Sequence, residues 1–104
     1  MEVLLITGPL SKAARALVEV SRAKVAANAN LDEAAIRAFE HGMHTPPDSV
    51  IQAIQDALEE LGAVFIPEQG ALGAGVRLKF NRSLTKRIGN LENEGGPSAK
   101  DDVP

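Results

Sequence analysis

The sequence predicts a mainly α-helical single domain of four to five helices that closes in a short β-hairpin or strand. Hydrophobic residues fill 44% of the 104 positions but aromatics only 3%, so the core must be built from Ala, Leu, Val and Ile, which suits closely packed helices. Apolar residues recur at helical spacing in short stretches separated by capping residues and by Gly, Asn or Pro breaks. Near residue 76 the apolar period changes to two, the signature of a half-buried strand. A chain of this length builds one core, not two.

The elements follow in order. Thr7-Gly8-Pro9 reads as a helix start, because Thr caps and Pro is tolerated in a first turn. The first helix then runs to about Val18, with Leu10, Ala13, Ala14, Leu17 and Val18 facing inward and Lys12 and Glu19 in water. Ser21 caps a second, two-turn helix through Ala23, Val25, Ala26 and Ala27 to about Asn28. Asn28-Ala29-Asn30 is a turn, since Asn tolerates the left-handed conformation, and Asp32 is placed to cap a third helix. That helix reaches Glu40 with Ala35, Ile36 and Phe39 apolar, and Gly42 stops it. Pro46 and Pro47 delay a fourth helix until Asp48 or Ser49. Its stripe is Val50, Ile51, Ile54, Ala57, Leu58 and Leu61, beside the acidic Asp56, Glu59 and Glu60, and Gly62 ends it. Val64 to Ile66 and Val76 to Phe80 are β-rich runs separated by Gly70, Gly73 and Gly75, as in a hairpin. The domain therefore spans 1–80. From about Asn81 apolar residues thin out, and 81–104 is expected to be a disordered tail.

Several functions are excluded or disfavoured by composition. With no Cys there are no disulfides, thiol nucleophiles or thiolate zinc sites. The longest apolar stretch at the N-terminus, Val3 to Ile6, is too short for a membrane span or a signal-peptide core, so a cytoplasmic protein with no membrane association is expected. No nucleophile elbow or phosphate loop occurs, and the Gly70 to Gly75 run opens no helix, so neither an enzyme nor a cofactor is expected. His41 and His44, one turn apart and near Asp48, are suggestive of a metal or an acid/base pair; without a third ligand they read more simply as exposed loop histidines near phosphates.

Two short helices joined by a tight turn, between a capped first helix and a longer fourth, form the helix-turn-helix arrangement, whose first helix crosses a phosphate backbone while the second enters the major groove. Ala14-Arg15-Ala16-Leu17, Ser21-Arg22-Ala23-Lys24-Val25-Ala26 and Ala35-Ile36-Arg37-Ala38-Phe39-Glu40-His41-Gly42 resemble the phage-repressor (Cro-like, xenobiotic-response-element) class of helix-turn-helix regulators. The resemblance covers about Ile6 to Phe80, and its later part, with Phe65-Ile66-Pro67-Glu68 and Gly75-Val76-Arg77-Leu78, is similar to short single-domain bacterial members. It implies a lambda-repressor-like fold and a sequence-specific, double-stranded-DNA-binding transcriptional regulator, with repression as the default for a lone domain.

By the same resemblance Arg15 and Glu40 pair to fix the first helix against the third, and Ala26, Leu31, Ile36 and Phe39 are core. Ser21, Arg22 and Lys24 at the start of the second helix, and Glu33, Ala34, Arg37 and Ala38 on the third, stand at DNA-contacting positions, with His41 and His44 beside them. This sequence departs from the usual pattern at Glu33, Ala34 and Ala38, which offer one acceptor and two methyl groups. Glu accepts from cytosine N4 and Ala touches a thymine methyl, but Arg37 is the principal candidate for reading a base.

Charge pulls the other way. The chain carries a formal net charge of -3, whereas phosphate neutralisation by Lys and Arg dominates nucleic-acid affinity. Between Ser21 and His44 the three positives Arg22, Lys24 and Arg37 balance the three negatives Asp32, Glu33 and Glu40. A helix-turn-helix domain that binds a protein partner, in the manner of an anti-activator or antitoxin, is the alternative this balance motivates. A DNA-binding form is expected to be a homodimer, because one short helix reads few base pairs and paired half-sites about 34 Å apart supply the rest. Helix four and the strand from Val76 to Phe80 are the candidate dimer surfaces, the strand having packing in cis with Val64 to Ile66 as its other option.

Overall fold

The computed structural model of the chain describes residues 5–80, so the proposed tail and the first four residues lie outside the described residues. The architecture is mainly helical: α1 (Gly8–Val18), α2 (Arg22–Ala29), α3 (Glu33–Glu40) and α4 (Asp48–Glu60) precede a two-stranded antiparallel sheet of β1 (Ala63–Ile66) and β2 (Gly75–Leu78). One core joins them. Ile36, Ile54, Leu58 and Val25 are its largest wholly buried apolar side chains, with Phe39, Phe65 and Ile51 closing its sides.

The helix starts follow the capping chemistry of the sequence. Thr7 Oγ1 accepts from the Leu10 N–H at 3.3 Å, and Ser21 Oγ accepts from the Lys24 N–H at 3.1 Å. Asp32 occupies the third cap position, but its carboxylate makes no capping bond. The Ala35 N–H that it would take is already bonded to the Asp32 carbonyl oxygen at 3.0 Å.

The helix ends are equally local. Asn30 leaves α2 at φ 61°, and the Leu31 N–H reaches back to the Ala26 carbonyl at 2.9 Å. Gly42 does the same for α3 at φ 68°, with the Met43 N–H on the Ala38 carbonyl at 3.0 Å. The link between α2 and α3 is thus only Asn30 to Asp32.

The first helix turns its apolar face differently from expectation. Ser11, Ala14 and Val18 point inward, while Ala13 and Leu17 are exposed. α3 comes closest at the start of the helix, where a Cβ at Gly8 would collide with the Phe39 carbonyl oxygen and lie 3.1 Å from Glu40 Cα. Ala23 and Ala27 of α2 likewise face outward, leaving Val25 and Ala26 as its buried residues.

The terminal β-runs pair with each other as a hairpin. Ala63 faces Leu78, Val64 faces Arg77, Phe65 faces Val76 and Ile66 faces Gly75. Regular pairing stops at Leu78 and not at Phe80, though the Lys79 N–H still reaches the Gly62 carbonyl at 2.7 Å. Val76 and Leu78 pack against the core while Arg77 and Lys79 are exposed, as the period of two requires. Among the described residues no helix is long and apolar enough to cross a membrane.

Candidate functional site

The centre of the predicted site is a buried carboxylate. Glu40, the last residue of α3, has no accessible side-chain surface, a placement that is costly for a charge unless it is paired and hydrogen-bonded. Four donors meet its two oxygens. Arg15 of α1 gives Nε to Oε2 and Nη2 to Oε1, each at 2.8 Å, and Ser11 Oγ donates to Oε2 at 2.8 Å. Arg22 of α2 adds Nε to Oε1 at 3.2 Å. Burial opposes ionisation of Glu40, but the bonds from Arg15, Ser11 and Arg22 together with the charge of Arg15 outweigh it and hold the carboxyl below its ordinary pKa. Glu40 in turn raises the pKa of Arg15 by accepting its hydrogen bonds, against the opposing effect of burial.

This arrangement ties three helices at one point. Arg15 also donates to the Val20 carbonyl at 3.4 Å, holding the segment between α1 and α2. Ser11 and Arg22 were not part of the Arg15–Glu40 pair as read from sequence. Ser11 was legible in principle, since it lies three and seven residues before the inward Ala14 and Val18. Gln55 is a second polar residue of this kind, on the stripe between Ile51 and Leu58; its Oε1 accepts from the Ile6 N–H at 3.2 Å and anchors the segment that leads into α1.

Arg22 is accordingly not a free cation. Its side chain is one-quarter accessible, Nε engages Glu40, and Nη2 lies 3.3 Å from His41 Nε2. The pairing brings the start of α2 beside the end of α3. Ser21 is exposed and Lys24 half-buried on the same helix start.

On α3 the positions 33, 34, 37 and 38 share one helical face. Glu33, Ala34 and Arg37 are exposed and Ala38 is half-buried. Arg37 Nη2 lies 4.0 Å from Glu33 Oε2, with both side chains about half accessible, a weak pair that competition from a ligand readily breaks. His41 and His44 are exposed in and just beyond the C-terminal turn of α3, along an open cleft of about 430 Å³ that also borders Thr7, Pro9 and Thr45. Among the described residues no group of three or more His, Cys, Asp or Glu is placed to hold a metal ion.

The sequence-predicted residues thus fall into two sets. Arg15 and Glu40 join, drawing in Arg22, while Ser21, Lys24, Glu33, Ala34, Arg37, Ala38, His41 and His44 all retain accessible surface. No family model matches the chain, and no curated protein matches it.

Proposed function

We propose that the chain is a sequence-specific DNA-binding transcriptional regulator of the phage-repressor helix-turn-helix class, non-catalytic and acting as a repressor, which reads the major groove with α3. The observation that carries this reading is the pinning of α3 by Glu40 to both α1 and α2, which leaves Glu33, Ala34 and Arg37 outward on a helix whose orientation is fixed. Rigid presentation of a short helix is what base-edge recognition requires. In this reading Arg37 contacts a base edge, Ala34 and Ala38 meet thymine methyls, Glu33 accepts from cytosine, and Ser21, Lys24, His41 and His44 lie against phosphates. Arg22 becomes a positioning residue first and a phosphate contact second. The functional unit is a homodimer on paired half-sites.

Sequestration of Glu40 also eases the charge problem. One of the three acids between Ser21 and His44 is removed from the surface, although Arg22 is partly withdrawn with it. The second reading, a protein partner docked on α3, is favoured by the same withdrawal of Arg22 and by the exposed Glu33. Titration into generic duplex and into the chain's own promoter DNA at low salt separates the two. Binding that is tighter on the promoter supports regulation; absence of binding to both, with capture of a specific protein, supports the partner.

A further inference from the structure

The geometry points to the free edge of β2 as the docking site of a partner protein's extended acidic strand, which adds to the hairpin as its third strand. The site uses no residue of α3 and stands whether or not α3 binds DNA.

The register identifies the edge. The Lys79 N–H bonds to the Gly62 carbonyl in continuation of the hairpin, which makes Gly62 and Lys79 a hydrogen-bonded pair. Such pairs alternate along an antiparallel ladder, so Val64–Arg77 and Ile66–Gly75 exchange bonds within the hairpin, whereas Ala63–Leu78 and Phe65–Val76 turn theirs outward. The two edges are not equal. Ala63 and Phe65 are 3% and 7% exposed, so no strand reaches the β1 edge. Val76 and Leu78 keep part of their surface in water, and among the described residues nothing bonds the N–H and C=O groups that they turn outward. An unpaired edge of this kind is a template for another strand.

The two faces of β2 set the partner's chemistry, because a strand laid along it continues both. On the inner face Ala16, Leu17 and Leu78 line a groove of about 110 Å³, and Leu17 is 39% exposed, so an apolar side chain fits there. Glu19 is the fourth residue of that groove and repels carboxylates from it. On the outer face stand Arg77 and Lys79, both exposed and neither in an ion pair among the described residues. Opposite charges side by side on neighbouring strands stabilise the pairing, and like charges oppose it. A second copy of β2 brings its own Arg77 and Lys79 to that face. A strand that alternates apolar residues with Asp or Glu satisfies both faces.

The test titrates the full chain with a short acetylated peptide alternating glutamate and valine, and follows the backbone amides by NMR and hydrogen exchange. Its controls are the lysine–valine counterpart and two N-methylated forms of the glutamate peptide, one methylated at the valines and one at the glutamates. The glutamate peptide is expected to slow exchange at Val76 and Leu78 and to bind about tenfold tighter than the lysine peptide. That preference vanishes in the Arg77→Gln, Lys79→Gln double variant, whose melting checks that the fold is kept. One methylated form binds and the other does not, because only one edge of the added strand faces β2. No binding of the glutamate peptide at millimolar concentration, equal binding of the two methylated forms, or shifts centred on α3 overturns the proposal. So does slow exchange at Val76 and Leu78 in the free chain: if it depends on protein concentration the occupant is a second copy, and if not it is another segment of this chain.

Discussion

Arg15 grips Glu40 through two parallel 2.8 Å hydrogen bonds across 25 residues of sequence, joining the last turn of α1 to the last residue of α3. The bidentate geometry fixes both position and direction, which a single point contact does not. Replacing Glu40 with Gln removes the charge that three donor side chains converge on and leaves Arg15 largely buried without its counter-ion. A loss of about 3 kcal/mol in urea-unfolding stability is expected, in the range for breaking one side of a buried pair.

Acid should find the same point. The folded-state pKa of Glu40 lies below its ordinary value near 4.5, so this group's contribution is fully present above that value and is lost as pH falls through the lower, folded value. Unfolding midpoints measured across this acidic range should drop in the parent and drop less in the Glu40→Gln variant.

Gly8 tests the closeness of α1 and α3. A methyl group there meets the backbone of Phe39 and Glu40, which cannot yield as a flexible side chain would. Gly8→Ala is expected to destabilise by about 1–3 kcal/mol, as over-packing does, despite the better helix propensity of Ala. Thermal melts of the two proteins decide it.

Arg22 and Arg37 should separate cleanly. Arg37→Ala leaves folding unchanged, costs about 1–3 kcal/mol of binding to a selected site and relaxes one base position. Arg22→Ala weakens binding to all sequences alike and also lowers the melting temperature, because Arg22 is one of the donors to Glu40. Parallel melts and titrations of both variants read the difference.

Local chemistry was the legible part of the fold. Thr7, Ser21, Asn30 and Gly42 each start or stop a helix through contacts within a few residues, and the sequence carries those contacts openly. Asp32 shows the limit, since a backbone carbonyl took the donor its side chain was placed to receive. The inward side of α1 is not legible from hydrophobicity, which ranks Leu17 above Ser11, whereas Ser11 is the buried one and donates to the Glu40 carboxylate. In the site, the Arg15–Glu40 pair followed from the family resemblance. The partial withdrawal of Arg22 did not, because a contact spanning 18 residues depends on how α2 and α3 pack.

The central claim, that α3 reads sequence, is tested most directly by the ratio of affinities for a duplex selected from random DNA and for the same duplex scrambled, at one stated salt concentration. The account predicts a ratio of about a thousand or more for the parent, narrowed by Arg37→Ala. Equal affinity for the two duplexes, or a ratio that Arg37→Ala leaves unchanged, would contradict it.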